Sequence, residues 1–371
     1  MTAPPAEPDE AGDGSGCGPS AQKAEGLWLE VVRLERELAV REAEIVERKA
    51  ELLRLESART DRSIAPRPPR IPSLRQLAKS ALGIRLQLEP YHEPRPLRVP
   101  SRYLRSRSLT AWPTISLVTP SYDQAAFLPH TLTSVLDQGY PALEYVVQDG
   151  GSQDGTREVL ERFRARLHHA ESRPDLGQAH ALNLGFAHTC GELMAYLNSD
   201  DILLPGSLSY VARYFAAHPE VDVVYGHRIL LDQQGLEIGR WILPPHRDRH
   251  LYYADYVPQE TLFWRRGIWE RAGGQVDSSF LFAMDWDLLL RFLEAGARMV
   301  RLPRFLGAFR VHDAQKTSRQ LAGIGAFEMD RLRHRYHGRG LSQDEVRRGL
   351  LPFILMHALC RRLYQVGLLR Y

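Results

Sequence analysis

The chain has 371 residues, of which 44% are hydrophobic and 25% charged, with three cysteines and a formal net charge of +3. This length suffices for one large globular domain with appendages, and the widely spaced cysteines indicate neither a disulfide framework nor a structural zinc site. No apolar run is long enough to span a bilayer and the first twenty residues lack a signal-peptide core, so we expect a cytoplasmic protein.

Charge is unevenly distributed along the chain. Residues 1–58 contain 7 Lys and Arg against 13 Asp and Glu, residues 59–110 contain 12 against 3, and residues 319–371 contain 10 against 4. The middle of the chain is therefore acidic and is flanked by basic segments. This pattern suits a central metal site with peripheral contacts to anionic surfaces, although solvated charge on the flanks explains it equally well.

The N-terminal third is expected to lack a globular core. Residues 1–25 are rich in Pro, Gly, Ser and acidic residues, which predicts a disordered tail. Residues 26–58 predict a coiled-coil helix, with a lone amphipathic helix as the alternative, and residues 59–110 predict a Pro/Arg-rich linker with one short helix. The heptad seam consists of Val31, Leu38, Ile45 and Leu52 in one row and Leu27, Leu34, Arg41, Arg48 and Leu55 in the other.

Residues 111–318 alternate between short buried strands and amphipathic helices. This alternation predicts an α/β domain with a mostly parallel sheet, helices on both faces and ligands at the carboxyl ends of the strands. Residues 319–371 predict a basic helical region. The predicted strands are 115–119, 144–148, 193–197 and 221–225, and the predicted helices are 127–136, 156–167, 179–187 and 208–217.

Polar segments follow the first two predicted strands. They are TPSYD at 119–123 and DGGSQDGT at 149–156. Glycines in the second segment would let the backbone approach a ligand, although turns of this composition are also common without one. Both segments lack the GxGxxG spacing of dinucleotide-binding folds and the GK[ST] ending of a P-loop, which argues against a dehydrogenase or an ATPase.

Two adjacent carboxylates, Asp200 and Asp201, follow the third predicted strand. Neighbouring buried carboxylates repel each other, so they persist at low cost where a cation neutralises them. Mg²⁺ and Mn²⁺ characteristically bind through one or two carboxylates and substrate phosphates. The pair therefore predicts a metal site for a nucleotide diphosphate, with an acidic helix-capping turn as the structural alternative.

Five segments carry, in order, a resemblance to a known family. Each resembles a motif of the inverting family 2 glycosyltransferases of the bacterial surface-polysaccharide type. The resemblance implies a GT-A-type nucleotide-binding fold, preceded here by the coiled-coil helix and followed by C-terminal helices. The segments are VTPSYDQAAFLPHTLTSVLDQGYP, LEYVVQDGGSQDGT, DLGQAHALNLGF, GELMAYLNSDDILLPG and FAMDWDLLLRF.

Residue by residue, the resemblance implies a catalytic base, a donor site and a metal site. Asp285 would be the base, with Asp287 as its rival, and Met284 replaces the Glu that is usual before it. His312 would be a further contact to the metal or diphosphate. The implied nucleotide and donor contacts are Pro120, Ser121, Tyr122, Asp149, Gln178, Asn183 and Asp200, and the implied ligands of Mn²⁺ or Mg²⁺ are Asp200, Asp201 and His312.

Two positions depart from the family pattern. Asn198 stands at the first position of the Asp-x-Asp signature, so metal binding would depend on the two aspartates after it. His180 stands where an acidic residue is frequent, which leaves the donor sugar open. Gln178 and Asn183 have helix capping or packing as the alternative to donor contact.

Sugar transfer requires a cation that stabilises the leaving diphosphate and a base that takes a proton from the incoming hydroxyl. We therefore expect an inverting glycosyltransferase that uses a nucleotide diphosphate-sugar, by default a UDP-sugar, and a glycan or lipid-linked acceptor in polysaccharide biosynthesis. A noncatalytic nucleotide-sensing scaffold is one alternative, although it would not need the costly acidic groups. A sugar nucleotidyltransferase is the other, although the basic Gly-rich loop that it would carry after the first strand is absent.

The segments on either side of the α/β domain indicate two kinds of partner, a second copy of the chain and a membrane surface. The heptads predict a homo-oligomer formed through residues 27–55. The basic linker and the basic amphipathic C-terminal region suit peripheral contact with the inner face of the plasma membrane, with packing of the tail helices on the domain as the alternative. Nucleic acid is not an expected partner.

Overall fold

The computed structural model of the protein describes residues 91–104, 109–312 and 321–371. The tail predicted at 1–25, the coiled coil at 26–58 and most of the linker lie outside these residues, so oligomerisation through residues 27–55 stays a prediction. None of the helices in the described part combines the length and apolar character that a membrane crossing needs.

A mixed sheet lies at the centre of the fold. Its nine strands in the described chain are β1 (Ile115–Ser121), β2 (Leu143–Asp149), β3 (His169–Ser172), β4 (Leu193–Tyr196), β5 (Ile202–Leu203), β6 (Val223–Leu231), β7 (Glu237–Trp241), β8 (Phe263–Arg265) and β9 (Met299–Arg310). Their order is β3-β2-β1-β4-β8-β6-β9-β5, with β7 paired to β6. Strands β3, β2, β1 and β4 run parallel, and β8 joins β4 to β6 in antiparallel pairing.

Helices cover both faces of the sheet. The α-helices of the described residues are α1 (Leu128–Leu136), α2 (Thr156–Phe163), α3 (Gln178–Ala187), α4 (Ser207–Ala217), α5 (Asp248–Leu251), α6 (Arg266–Arg271), α7 (Met284–Glu294), α8 (Ala326–His337) and α9 (Gln343–Gln365). Short 3₁₀ turns occupy Ser101–Tyr103, Arg164–Arg166 and Gln259–Thr261, and a π-helical turn occupies Leu321–Gly325.

Alternate residues of the parallel strands enter two different cores, because successive side chains of a strand point to opposite faces. Val118 of β1 packs in a core that includes Leu182 of α3, whereas Leu117 packs in a core that includes Leu128 of α1. Helix α3 lies so close to β1 that a Cβ on Gly185 would stand 2.4 Å from Val118 Cγ1. This sandwich explains why every residue of β1 is buried.

The predicted α/β class with a mostly parallel sheet is confirmed. The predicted strands and helices between residues 115 and 225 match observed elements, with bounds that differ by a few residues. The later antiparallel strands and the edge strand β3 were not predicted. β3 is only four residues long and half-buried throughout, so it carries no apolar run that could reveal it.

The flanking segments pack on the central domain. Leu332 of α8 and Phe353 of α9 are buried in the core that also contains α7. On the N-terminal side, the backbone N–H of Phe305 donates to the Tyr103 hydroxyl at 3.0 Å, and Arg95 contacts the buried carboxylate of Glu237 at 2.6 Å. The domain boundaries drawn from the sequence stay a prediction. The contacts show that the described parts of both flanks pack against the central domain.

Candidate active site

The carboxyl ends of β1 and β2 form the first part of the site. Ser121 and Asp149 are register partners at the ends of the two strands. The backbone N–H of Asp123 donates to Ser152 Oγ at 2.8 Å, and that of Gln153 donates to the Asp123 carboxylate at 3.2 Å. Asp123 has a φ of 51°, which is uncommon for a residue other than glycine and marks the turn as a functional candidate.

An exposed aromatic ring lies above this junction. The side chain of Tyr122 is 64% exposed. A Cβ on Gly150 would stand 3.0 Å from the Tyr122 ring and 3.2 Å from the Asp175 carboxylate, so only glycine admits this approach without a shift. The Oγ of Ser121 is buried and has no hydrogen-bond partner among the described residues. A free ring face beside an unpaired hydroxyl suits a planar base and its ribose.

Asp149 organises the loop that follows β2. Its carboxylate is fully buried and accepts hydrogen bonds from the backbone N–H groups of Gly151 and Ser152, from the Ser152 hydroxyl and from the Ser172 hydroxyl. These four bonds use about the full acceptor capacity of a carboxylate. A nucleotide would have to replace one of them to contact Asp149 directly, so its predicted role in donor binding stays a prediction.

The turn after β4 carries the two adjacent aspartates. The Thr131 hydroxyl of α1 holds this turn by donating to the backbone carbonyls of Ser199 at 2.8 Å and Asp201 at 2.7 Å. The Gln178 amide at the start of α3 donates to Asn198 Oδ1 at 2.7 Å. The structure thus brings Gln178 to the aspartate turn, and Asn198 serves as a side-chain link between them.

Asp201 has the properties of a buried cation ligand. Its Oδ1 accepts from the backbone N–H of Arg310 at 3.0 Å, whereas its Oδ2 is buried without a hydrogen-bond partner in the described chain. Burial and the charge of Asp200 raise the pKa of Asp201 well above its usual value. An unpaired oxygen in such surroundings is costly unless a cation or a proton satisfies it, so the residues present fit a divalent metal.

Asp200 and His312 lie beside that oxygen-rich turn. His312 Nε2 lies 3.0 Å from Asp200 Oδ2, and Arg310 Nε donates to the backbone carbonyl of Asp200 at 3.0 Å. Asp200, Asp201 and His312 are therefore brought together as the sequence predicts. The possible ligand atoms of Asp200, Asp201 and His312 do not all lie within 4.8 Å of one another. Among the described residues, His169, Glu171 and His188 form a group whose ligand atoms do.

Helix α7 carries Asp285 in its first turn. The entry to this helix is held by Glu328 of α8, whose buried carboxylate accepts from the backbone N–H groups of Leu281, Phe282 and Ala283 at 2.8, 2.9 and 2.8 Å. A carboxylate at a helix N-terminus satisfies otherwise unpaired donors and interacts favourably with the helix dipole. The C-terminal region therefore sets the position of Asp285.

Asp285 lies in surroundings that favour its protonated form. Burial raises the pKa of Asp285 to about 6, although its Oδ1 accepts the backbone N–H of Trp286 at 3.0 Å. Burial and the charge of Asp285 also raise the pKa of Asp255 well above its usual value. Asp255 was not singled out in the sequence, because it lies in a loop without a motif and becomes a neighbour of Asp285 only through the fold.

Asp287, the rival in the sequence, has different surroundings. Its side chain is fully buried, and its two carboxylate oxygens contact Arg291 at 2.7 Å and Arg335 at 3.1 Å. Both oxygens of Asp287 are thus committed to ion pairs. The geometry leaves Asp285 as the carboxylate of the MDWD segment that is available to a substrate.

A buried ion pair lies among these carboxylates. Arg228 donates to Glu260 through Nε at 2.8 Å and through Nη2 at 2.5 Å. The positive charge of Arg228 lowers the pKa of Asp201, Asp255 and Asp285, which burial raises. No motif in the sequence marks Arg228, since it lies in the middle of a strand.

Asn183 is engaged away from these groups. Its Nδ2 donates to the carbonyl of Val276 at 2.8 Å, and its Oδ1 accepts the backbone N–H of Val276 at 2.8 Å. Both ends of the amide therefore join α3 to the segment before α7. These bonds correspond to the packing role that the sequence analysis gives as the alternative to donor contact for Asn183.

Replacing each aspartate of the MDWD segment separates their roles. We expect Asp287→Asn to lower the free energy of unfolding by about 1.5–3 kcal/mol, because it weakens charged hydrogen bonds to Arg291 and Arg335. Asp285→Asn should leave the midpoint of urea unfolding unchanged or raise it, since the buried site already favours a neutral group. Equal destabilisation by both variants would contradict this assignment.

Residues 116–263 match the family described as "Glycosyl transferase family 2". The "O-antigen biosynthesis protein RfbC" of Myxococcus xanthus is 34% identical over 231 residues, which cover 60% of this chain but only 18% of that protein. A "PGL/p-HBAD biosynthesis glycosyltransferase" of Mycobacterium bovis is 29% identical over 197 residues, covering 52% of this chain and 74% of the relative.

A solved structure with a similar fold is S. aureus TarS 1-349 in complex with UDP-GlcNAc. It is 16% identical with a TM-score of 0.50, and the match covers 68% of this chain and 76% of that one. The likeness at this identity concerns the fold alone. Together with the family match over residues 116–263 and the observed sheet, it confirms the resemblance carried by the five motifs and the GT-A-type fold that this resemblance implies.

Proposed function

We propose that this chain is an inverting glycosyltransferase that moves a sugar from a nucleotide diphosphate-sugar to a glycan or lipid-linked acceptor in polysaccharide biosynthesis. The observation that carries the proposal is that one fold, whose residues 116–263 match family 2, holds both an unsatisfied carboxylate oxygen on Asp201 and a half-buried carboxyl of raised pKa on Asp285. The names of the O-antigen and PGL relatives support the process, and a UDP-sugar is the default donor.

The donor is proposed to bind across the ends of β1, β2 and β4. The exposed ring of Tyr122 and the unpaired hydroxyl of Ser121 would contact the base and ribose, and Pro120 precedes them in β1. Asp200, Asp201 and His312 are the residues that would hold Mn²⁺ or Mg²⁺. Such a cation supplies charge stabilisation for the departing diphosphate, and substrate phosphates complete its coordination.

Asp285 is proposed to act as the general base. Its ionised carboxylate takes the proton from the acceptor hydroxyl while the acceptor oxygen bonds to the anomeric carbon and the bond to the diphosphate breaks. A single displacement of this kind inverts the anomeric configuration. Because burial raises its pKa, Asp285 is a stronger proton acceptor than an ordinary aspartate near neutral pH.

The transfer reaction is tested by nucleoside diphosphate release from a panel of nucleotide-sugars and acceptors. We expect Asp285→Asn to lower kcat by roughly 10²–10⁴, which is the usual contribution of a general base. The variant should still bind the donor, because Asp285 does not contact the nucleotide. With Mn²⁺ present, a nucleotide diphosphate at 100 times its Kd should stabilise wild type and variant alike by about 2.7 kcal/mol.

Asp344→Asn, an exposed carboxylate on α9, is the matched control and should retain full activity. Asp201→Ala should lose the Mn²⁺-dependent part of the stabilisation by nucleotide. Full turnover by Asp285→Asn would refute the assignment of the base. Release of pyrophosphate would identify a nucleotidyltransferase instead, and nucleotide binding without any product would identify a sensing scaffold.

The pH profile of the reaction follows from the raised pKa of Asp285. The base must be ionised, so kcat/KM should be maximal above pH about 6 and fall tenfold per unit below it. An acid limb near the ordinary aspartate pKa of about 4 in the wild type would count against the assignment.

We also propose that α9 docks on an anionic membrane surface near a lipid-linked acceptor. One face of this helix is buried through Phe353 and His357. Helical spacing of three and four residues places its exposed apolar side chains on the opposite face, and exposed Arg347, Arg348 and Arg362 lie along the same helix. The exposed apolar residues of α9 and its C-terminal extension are Leu351, Leu355, Met356, Leu359, Val366 and Leu368.

Vesicle flotation tests this docking. We expect the protein to float with vesicles that contain anionic phospholipid and to remain unbound with neutral phosphatidylcholine vesicles. The double variant Leu355→Glu and Leu359→Glu should remain unbound in both, because it places negative charge in the apolar face. Absence of wild-type binding to anionic vesicles, or unchanged binding by the double variant, would remove the proposal.

A further inference from the structure

Three side chains with metal-binding atoms converge at the β3 edge of the sheet. His169 and Glu171 lie on β3, and His188 directly follows α3. One ligand atom from each of the three lies within 4.8 Å of the other two. The two imidazole rings are stacked, with centroids 3.8 Å apart and an angle of 15° between their planes.

The fold produces this convergence from two separate elements. His169 and Glu171 are two residues apart on a strand, so their side chains share one face of it. β3 pairs in parallel with β2, with His169 opposite Val146, and α3 packs against β1 at Gly185. The end of α3 thereby brings His188 to the face of β3 that carries the other two groups.

The chemistry of His169 favours metal binding. Its Nε2 is buried and has no hydrogen-bond partner within the described residues. Glu171 contacts Arg173 at 3.3 Å, but the half-exposed arginine side chain can move to solvent when a cation takes its place.

We propose that His169, Glu171 and His188 form a zinc-binding site. Two imidazoles and one carboxylate are a ligand set that zinc uses with water in the fourth position. Ligands of a tetrahedral zinc at about 2.0–2.1 Å are roughly 3.4 Å apart, so the three donors, which lie within 4.8 Å of one another, have to approach by at most about 1.4 Å. The exposed side chain of His188, at a helix end, provides this freedom.

Zinc at this position would clamp the edge strand to α3. Ser172, the residue after Glu171, donates to Asp149 Oδ2 at 2.6 Å. The clamp would therefore restrain the strand end that supports the nucleotide loop. The site consists of residues other than those proposed for Mn²⁺ or Mg²⁺, so either proposal can fail while the other stands.

Titration calorimetry of the full-length protein with Zn²⁺, in excess Mg²⁺, tests the site. We expect one equivalent of Zn²⁺ to bind the wild type, and His188→Ala to weaken binding roughly tenfold or more. His169→Ala should have the same effect, and His188→Ala keeps the test valid if substitution within β3 impairs folding. Co²⁺ in place of Zn²⁺ should give visible absorption bands in the wild type that the His188 variant lacks.

Two matched variants complete the experiment. His168→Ala removes an exposed histidine beside the cluster, and Asp201→Ala alters the proposed catalytic metal site, so both should bind Zn²⁺ as the wild type does. Failure of the wild type to bind Zn²⁺ would overturn the proposal. Binding that His188→Ala and His169→Ala leave unchanged would overturn it equally, because the ion would then be held elsewhere.

Discussion

The excess of negative over positive charge among the buried and half-buried side chains is the constraint on which the site depends. Arg228 is held in a bidentate ion pair with Glu260, and its one charge also has to balance Asp201, Asp255 and Asp285. Arg310, whose charge acts on Asp200 and Asp201, adds a second positive charge, but two arginines cannot neutralise the five carboxylates of Asp200, Asp201, Asp255, Glu260 and Asp285 in poorly solvated surroundings. The excess negative charge can be relieved in two ways: by protonation, which the raised pKa values of Asp201, Asp255 and Asp285 favour, and by a cation at the aspartate turn.

The sequence predicted the parts of the site that depend on local order along the chain. Each polar cluster directly follows a strand, so the parallel sheet brings Ser121, Asp149 and Asp201 to one edge, as the alternating pattern indicates. Groups that act through long-range contacts carried no such signal. Asp255 and Arg228 contribute only because the chain folds back on itself, and no periodicity or motif marks either of them.

The same limit explains how the two aspartates of α7 are distinguished. The sequence places Asp285 and Asp287 two residues apart and offers only the family alignment to choose between them. The structure supplies the physical difference, because Arg335 comes from the C-terminal region and pairs with Asp287. Glu328, from that same region, organises the start of α7. A segment that looks like a basic appendage in the sequence thus helps to position the helix that carries Asp285.

The close contact between Gly185 and Val118 holds α3 in a fixed position on β1. With no room for even a methyl group at that point, the helix can neither slide along β1 nor rotate about its own axis without a steric clash. The ten residues of α3 span about 15 Å, from Gln178 at its start to Ala187, which directly precedes His188, at its end. The helix therefore keeps Gln178, at the aspartate turn, and His188, at the β3 edge, at a constant separation. A larger residue at position 185 would shift α3 and displace both side chains together.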